Sequence, residues 1–286
     1  MKDLANRLII LKGTWKYLFG KGANSLWIMA IPAIFIPFIY SPSASIYFIF
    51  KHDLQEVETF KSIYLAMKII PFKDLFWIGL IGLVLLICAI AILMDLIDRH
   101  MRVGKFTLNA QAINSQLNFN FLLAFEFTLI GVVILELGNI IEVSFFYLWT
   151  KVLHTPEAWT SVCFVTYGIT SLVQIFLFSL VCLWPAYKLH MGYSSKEAFK
   201  ESIKMTLASF GEIVLTLISM MLPINIITGI IGALNLHIAV RIVADIVEMT
   251  LIVPFYIVLM YTLFYEVTGL ERMDLKKVDI WSKKKV

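Results

Sequence analysis

Charged residues are scarce in this sequence. Only 15% of the 286 residues are Asp, Glu, Lys or Arg, whereas 60% are hydrophobic, and the mean hydropathy is +0.84. Soluble domains are less apolar and more charged, so this balance excludes an ordinary soluble domain and predicts a protein embedded in lipid. The net charge of +4 comes without a basic helix carrying interleaved aromatic residues, which argues against nucleic-acid binding.

Cysteine is equally rare, and its spacing indicates no chemistry. Cys88, Cys163 and Cys182 lie singly within apolar runs, which predicts neither a disulfide framework nor a zinc site. The sequence contains no nucleophile elbow, phosphate-binding loop, paired-histidine zinc helix or dinucleotide-binding fingerprint. We therefore expect no catalytic residue, no metal and no cofactor, and the sequence favours a role other than that of an enzyme.

Long apolar runs are what the sequence does contain. A helix of about 20 residues crosses a bilayer, and six runs reach that length. The fold class they predict is all-α, a single polytopic transmembrane domain spanning residues 1–286. Prolines predict a kinked first helix around Pro37 and a break near Pro223 in the fifth helix. The predicted transmembrane helices lie at about residues 26–50, 75–96, 119–149, 161–187, 211–234 and 237–265.

Three polar segments between these runs have an amphipathic pattern. Residues that are apolar, with Thr206 as the exception, recur at i, i+4, i+7 and i+11 starting from Leu4, from Phe106 and from Phe199. This spacing predicts three helices lying in the membrane interface, the first within residues 1–23. Each precedes two predicted transmembrane helices, so one interpretation is a threefold repeat of interfacial helix plus helical hairpin. The alternative is that loops between membrane helices often contain such helices without any repeat.

The distribution of lysine and arginine predicts the orientation of the chain. Residues 1–23, 99–118, 188–210 and 266–286 hold 18 of the 24 basic residues. The loops on the other side hold five, including those of the mixed-charge loop 51–74, where one short amphipathic helix is expected. Because basic loops stay in the cytoplasm, we expect a multi-pass protein of a bacterial-type cytoplasmic membrane with both termini in the cytoplasm. Residues 266–286 then form a cytoplasmic tail.

The last apolar run opens with four polar residues. His237, Arg241, Asp245 and Glu248 are spaced to share one face of a helix, and uncharged residues follow as far as Tyr265. At membrane depth, a charged side chain costs about 3 kcal/mol or more unless it finds a partner. These four residues, the polar stripe, must then face the interior of the helix bundle.

The third and fourth runs supply predicted partners for the polar stripe. Glu136 is expected to meet Arg241 at a similar height, and Glu126 to pair with Glu248, joined by Gln174. Such a ladder is typical of a proton- or cation-coupled path. The candidate pathway residues are therefore Glu126, Glu136, Gln174, Arg241, Asp245 and Glu248. Two alternatives stay open, namely a buried structural ion pair and helical extensions that stand in water outside the bilayer.

Two aspartates, Asp95 and Asp98, end the second predicted transmembrane helix beside Arg99 and His100. Paired aspartates at such a position hold a divalent metal and a phosphate in membrane alcohol phosphotransferases. Those enzymes need a second aspartate pair on the next helix, and residues 101–125 contain no acidic residue. A solvated helix end is therefore the simpler interpretation.

A short motif follows the fourth predicted helix. It consists of Pro185, then Gly192, Ser195, Glu197, Ala198 and Ser202. The arrangement resembles a broad group of bacterial six-helix membrane proteins, which includes the membrane domain fused to some glycerophosphodiester phosphodiesterases and several families of undefined function. The resemblance implies a fold and no chemistry, since the diesterase domain has no counterpart in this sequence. Locally, the glycine would end one helix, Ser194 or Ser195 would cap the next, and Glu197 would lie in its first turn.

Two functional hypotheses follow, with a membrane enzyme at Asp95 and Asp98 as a distant third. The first is a non-enzymatic accessory or scaffold protein that organises lipids or a membrane complex through its interfacial helices. Its partners would be the lipid bilayer and other membrane proteins. The second is a small transporter or permease subunit that uses the intramembrane carboxylate and arginine cluster, with helix breaks at Pro37 and Pro223.

Overall fold

The computed structural model describes residues 2–41, 43–51, 59–68, 76–104, 110–234 and 236–275. Throughout these residues the chain is helical, which confirms the all-α class. The helices are α1 (Lys2–Leu18), α2 (Asn24–Phe35), a 3-10 turn (Ile36–Phe38), α3 (Ala44–Lys51), α4 (Phe60–Lys68), α5 (Phe76–Val103), α6 (Ala110–Val152), α7 (Pro156–Cys182), α8 (Trp184–Met191), α9 (Ser195–Ala208), α10 (Phe210–Ala233) and α11 (Ile238–Thr268).

Within the described ranges, five helical stretches are long and apolar enough to cross a membrane. They are Trp77–Val103, Asn120–Val152, Pro156–Met191, Phe210–Ala233 and Ile238–Thr268. These stretches coincide with the second to sixth predicted crossings.

The first predicted crossing, residues 26–50, is divided into two pieces. The apolar stretch Asn24–Phe38 forms the first piece and α3 the second. The connection between Phe38 and Ala44 is called the break below. Pro37 lies in the 3-10 turn just before the break, where its missing N–H prevents the α-helix from continuing. The predicted kink is therefore a complete interruption of the helix.

Two predicted features are wrong. Pro223 lies inside α10, which continues without interruption, as membrane helices can when neighbouring groups satisfy the freed backbone. The helix α6 begins at Ala110 and runs on into the third crossing, so this part of the second amphipathic segment is not a separate interfacial helix. No Gly or Pro follows Ala110 to end a helix before the crossing. Phe106 lies outside the described residues, and the threefold repeat stays a prediction.

The centre of the bundle is the second half of α11. Every residue from Pro254 to Tyr265 is buried, because α1, α2, α5, α8 and α10 pack around this helix. A helix that is apolar on nearly all sides can be packed by neighbours around its whole circumference. This helix therefore fixes the positions of its neighbours.

The two ends of the bundle differ in their contacts. At the end where α1 and residues 269–275 lie, called the terminal end, Tyr17 Oη and His100 Nδ1 are 2.7 Å apart and Lys21 Nζ donates to the Asp274 carbonyl oxygen at 3.0 Å. At the other end, called the opposite end, a second hydrophobic cluster around Phe146 and Trp159 joins α3, α4, α6 and α7. The predicted short helix of the 51–74 loop is confirmed as α4 and packs in this cluster.

Glycines allow neighbouring helices to pack closely on both pieces of the first crossing. A Cβ atom at Gly82 of α5 would lie 2.6 Å from Phe35 Cβ, near the end of α2. A Cβ atom at Gly232 of α10 would lie 2.9 Å from the Ser43 carbonyl oxygen and 2.7 Å from Ile46 Cβ. Such distances are too short for real side chains, so the lack of a side chain at these glycines permits the observed position of the break.

Replacing Gly232 with Ala is expected to destabilise the protein by about 1–3 kcal/mol, because the added methyl group pushes against the backbone at the start of α3. Thermal unfolding in detergent measures the effect. Gly229→Ala is the matched control, since it lies in the same helix and has nothing within 4 Å of an added Cβ. That control should be neutral or stabilising by up to about 1 kcal/mol. Equal effects at the two glycines would contradict the close packing.

The motif of residues 185–202 forms the joint between α8 and α9. Gly192 ends α8 with a left-handed φ of 71°, and Ser194 caps α9 in a capping box with Glu197. The predicted local roles of these three residues are confirmed. The Ser194 hydroxyl, and secondly its backbone N–H, donate to the Glu197 carboxylate and lower the pKa of that group.

The lowered pKa of Glu197 predicts a pH-dependent contribution to stability. The ionised Glu197 carboxylate stabilises the start of α9 at neutral pH. This contribution is fully present above the pKa of about 4.3 that is typical of free Glu, and it is lost as the pH falls from there through the lowered pKa of Glu197. Glu197→Gln removes the titration, so the gap in thermal midpoint between wild type and variant should close as the pH is lowered from about 6 to about 3.5. Glu201→Gln, on the same helix, is the control. A gap independent of pH would contradict the capping role.

Candidate functional site

The break in the first crossing faces the polar stripe of α11. Ser41 Oγ donates a hydrogen bond to Asp245 Oδ2, and the side chain and backbone of Ser43 lie within reach of the same carboxylate. Ala44 begins α3, so Asp245 lies at the start of a helix, where unpaired N–H groups carry a partial positive charge. The Asp245 carboxylate of α11 thus offsets the partial positive charge of the unpaired N–H groups at the start of α3.

Arg241 lies one helical turn before Asp245 and is only 4% exposed. Its guanidinium carbon is 3.6 Å from the centre of the Tyr47 ring on α3, a cation–π contact. Its Nε and Nη1 atoms are buried without a hydrogen-bond partner among the described residues. Because arginine remains protonated in proteins, the site contains a permanent positive charge with open donors.

Two further carboxylates lie within electrostatic range of Tyr40 in the break, Glu248 on α11 and Glu142 on α6. Glu248 accepts a hydrogen bond from Thr228 Oγ1 of α10 at 2.8 Å. Glu142 of α6 is 3% exposed, and its Oε1 has no hydrogen-bond partner in the described part of the chain. Both carboxylates lie within electrostatic range of the phenol groups of Tyr40, from the break, and Tyr167, from α7. The polar cluster therefore consists of Tyr40, Ser41, Ser43, Tyr47, Glu142, Tyr167, Thr228, Arg241, Asp245 and Glu248.

The outward face of α11 is apolar at the same height. Val240, Val243 and Val247 are 51%, 59% and 53% exposed, and α10 exposes Ile227 and Ile230 beside them. Exposed aliphatic side chains of this kind suit contact with lipid chains. The charged residues of α11 therefore point into the bundle, while the other face of the same helix suits hydrocarbon.

The predicted pairs of third-run carboxylates with the polar stripe do not form. Glu136 accepts a hydrogen bond from Tyr64 Oη of α4 at 3.1 Å instead of meeting Arg241. Glu126 lies near the terminal end, where Lys188 Nζ is 3.1 Å from its carboxylate, and does not meet Glu248. The sequence gives the height of a residue along its helix but not the rotation of that helix about its axis, and this rotation decides which neighbour a side chain meets.

Gln174 and His237 also lie apart from the polar cluster. Gln174 Nε2 donates to the Leu135 carbonyl oxygen at 3.3 Å, and its side chain lies directly against Gly138, where an added Cβ atom would displace it. It lines an apolar groove of about 360 Å³ between α6 and α7. His237 is exposed, and its Nδ1 accepts a hydrogen bond from the Ala239 backbone at the start of α11. Of the six predicted pathway residues, Arg241, Asp245 and Glu248 are brought together.

Asp95 and Asp98 form ion pairs at the terminal end. Asp95 lies 3.1 Å from Arg99, whereas Asp98 lies 3.0 Å from His190 Nδ1 and 3.7 Å from Arg102. Asp98 is buried rather than solvated, because α8 covers this end of α5. Among the residues with described positions, no group of three or more His, Cys, Asp or Glu side chains is arranged to hold a metal ion.

Most residues of the polar cluster were missed in the sequence analysis. The signal that could have found them is the pair of serines, Ser41 and Ser43, that lies four and six residues after Pro37 within an apolar run. A helix that stops in a membrane exposes backbone groups, and hydroxyl and carboxylate side chains are the groups that satisfy them. Glu142 lies in the third apolar run, where spacing alone does not indicate its partner.

No known protein family, curated protein or solved structure matches this chain. The resemblance of residues 185–202 to six-helix bacterial membrane proteins therefore stays a prediction. The chemistry of the polar cluster has to be inferred from its own residues.

Replacing Ser41 with Ala is expected to destabilise the protein by about 1–3 kcal/mol, because a buried carboxylate loses its hydrogen-bond donor. Ser144→Ala is the control, since that exposed hydroxyl bonds only to its own helix at Ile140. Thermal unfolding in detergent measures both. Combining Ser41→Ala with Asp245→Asn should cost less than the sum of the single changes, since the two residues share one interaction. An effect of Ser41→Ala no larger than that of Ser144→Ala would contradict the contact.

Proposed function

We propose that the protein is a small transporter, or the permease subunit of one, which binds a polar solute at the polar cluster. The observation that carries this proposal is a helix interrupted inside the bundle, next to a buried guanidinium with open donors and three carboxylates. In secondary transporters, substrate and ion sites are formed where discontinuous membrane helices end within the bundle. Ionisable residues that face the interior of a membrane bundle mark such paths by default.

A purely structural ion pair accounts less well for the cluster. Structural pairs offset the cost of burial with hydrogen bonds to every charged group. Here two nitrogen atoms of Arg241 and one oxygen of Glu142 have no hydrogen-bond partner among the residues whose positions are described. Unfilled donors and acceptors inside a bundle are what a polar solute or a chain of water molecules needs for binding.

The proposed topology has six crossings, with α2, the 3-10 turn and α3 together forming the first. Both termini then lie in the cytoplasm, as the basic residues predict. Counted from Asn24 at 1.5 Å per residue, the break lies about 22 Å along a hydrocarbon layer of about 30 Å, in its outer half. The buried segment Pro254–Tyr265 closes the bundle on the cytoplasmic side of the cluster.

Reconstitution of Arg241→Ala in liposomes tests the proposal. Uptake is measured for one neutral, one anionic, one zwitterionic and one cationic solute, against liposomes without protein. The wild type should transport at least one of them, and Arg241→Ala should lower that rate at least about tenfold, because Asp245 loses its balancing charge. Arg241→Lys keeps the charge but not the planar stack on Tyr47, so its rate should be intermediate.

The control for this experiment is Arg99→Ala, which removes a partly exposed arginine at the terminal end. Its rate should stay within about twofold of the wild type. Each variant is first shown to keep its thermal midpoint in detergent, so that loss of flux is not loss of folding. Full transport by a folded Arg241→Ala protein would contradict the proposal.

The second candidate function is an accessory or scaffold protein of a membrane complex. Apolar side chains exposed on and just after α1, at Leu8, Ile9 and Phe19, favour it, because they suit a lipid interface or a partner helix. Trp15 anchors this helix by packing against Phe255 of α11, with ring centres 4.3 Å apart. The scaffold hypothesis predicts that no solute crosses faster than in liposomes without protein, so the flux measurement separates the two functions.

A further inference from the structure

The groove between α6 and α7 is open on the outer surface of the bundle. Its volume is about 360 Å³, and its walls include Leu137, Ile141 and Phe145 of α6 with Ile169 and Val173 of α7. These five side chains are between 41% and 59% exposed. Both walls belong to helical stretches that are long and apolar enough to cross a membrane. The height of the groove in the bilayer therefore decides what can occupy it.

The ion pair of Glu126 with Lys188, at 3.1 Å, marks the boundary of the hydrocarbon layer at the terminal end. Counted from Glu126 at about 1.5 Å per residue, Leu137 lies about 17 Å along α6 and Phe145 about 29 Å. The hydrocarbon layer is about 30 Å thick. The groove thus runs from near the middle of this layer to its boundary at the opposite end, which is the depth of one leaflet.

Trp149 lies at the outer end of the groove, just beyond this boundary. Its indole Nε1 donates to Thr166 Oγ1 at 3.2 Å across the two helices. Lys151, two residues further along α6, is exposed, and its Nζ lies 5.3 Å from the centre of the Tyr147 ring. Tryptophan and tyrosine are enriched where lipid meets water, and a lysine near a helix end extends toward that interface. A positive charge therefore lies at the height of the lipid phosphate groups.

The polar side chains in the groove wall already have partners within the protein. Thr166 donates to the Val162 carbonyl oxygen at 2.8 Å, and Thr170 donates to the Thr166 carbonyl oxygen at 2.9 Å. The Gln174 amide donates to the Leu135 carbonyl oxygen, as described above. None of the eleven described side chains that line the groove is charged. The groove therefore suits hydrocarbon better than a polar ligand.

The size of the groove separates two apolar occupants. A helix with its side chains is about 10–12 Å across, so a partner helix along the same length would need several times the volume of the groove. A single extended hydrocarbon chain is slender enough. We propose that the groove binds one acyl chain of a phospholipid from the leaflet at the opposite end, with the phosphate group at the height of Lys151. This lipid site lies apart from the polar cluster and does not depend on the proposed transport function.

Native mass spectrometry of the full chain in detergent tests the proposal. The protein is washed with excess detergent to remove loosely held lipid and is then mixed with about one phosphatidylglycerol molecule per chain. The wild type should retain one lipid. Val173→Trp places a bulky ring in the groove and should lower the retained fraction at least about tenfold, because the chain loses its contacts there.

Leu172→Trp is the matched control for this variant. Leu172 is the neighbouring residue on α7 and is equally exposed, at 46% against 47% for Val173, but it does not line the groove. Its retained fraction should stay within about twofold of the wild type.

Photo-crosslinking of the same washed protein locates the bound chain. The probe is phosphatidylglycerol with a diazirine near the end of one acyl chain. It should label the inner part of the groove, around Leu137 and Leu177. This labelling should exceed that at Val243, on the outward face of α11, at least about tenfold, because Val243 contacts only loosely held lipid.

Three outcomes would overturn the proposal. They are equal lipid retention by Val173→Trp and Leu172→Trp, labelling spread evenly over the outward faces of the helices, and a dimer in detergent that Val173→Trp alone separates. The last would assign the groove to a second copy of the chain. Should Val173→Trp be unfolded in detergent, Ile169→Trp on the same wall replaces it, and the labelling pattern of the wild type decides the matter.

Discussion

The hydrogen bond from Ser41 to Asp245 is the interaction on which the rest of the structure depends. A helix that stops inside a lipid-facing bundle leaves backbone N–H and C=O groups without partners, which is costly wherever water is absent. Asp245 places a carboxylate at the start of α3, and Arg241 balances that carboxylate while stacking on Tyr47. Gly82 and Gly232 let the neighbouring helices close around both pieces. The buried charges therefore stabilise the start of α3 after the break, and the break provides the hydrogen-bond donor that the buried carboxylate needs.

This mutual dependence gives the bundle two halves with different properties. Toward the terminal end, α11 is buried on all sides and the packing is apolar from Pro254 to Tyr265. Toward the opposite end, the polar cluster lies between α3, α6, α7, α10 and α11, and two of its acids form no ion pair with a basic side chain among the described residues.

The fold could be predicted from the sequence because a bilayer imposes length and apolarity on every helix that crosses it. The fifth crossing, expected at 211–234, is observed at Phe210–Ala233, and the cap at Gly192 and Ser194 followed from local geometry alone. The polar stripe could also be predicted, because its four residues lie within one helix. The partners of the stripe were not, because they depend on how α6 and the first crossing are rotated toward α11. Glu136 consequently bonds to Tyr64 rather than to Arg241. The group that bonds to Asp245 is a serine in the break, and the prolines of the first predicted crossing indicated a kink there but not a complete interruption.

The most direct test of this account is the depth of the polar stripe in the bilayer. A spin label on Val243→Cys, in a chain whose three cysteines are replaced by Ala, would report from the outward face of α11 between Arg241 and Asp245. The account predicts that the label is accessible to oxygen and protected from a water-soluble nickel chelate, which places the charged residues within the hydrocarbon. Ready access of the nickel chelate to this position would show that the stripe stands in water outside the membrane, and would contradict the account.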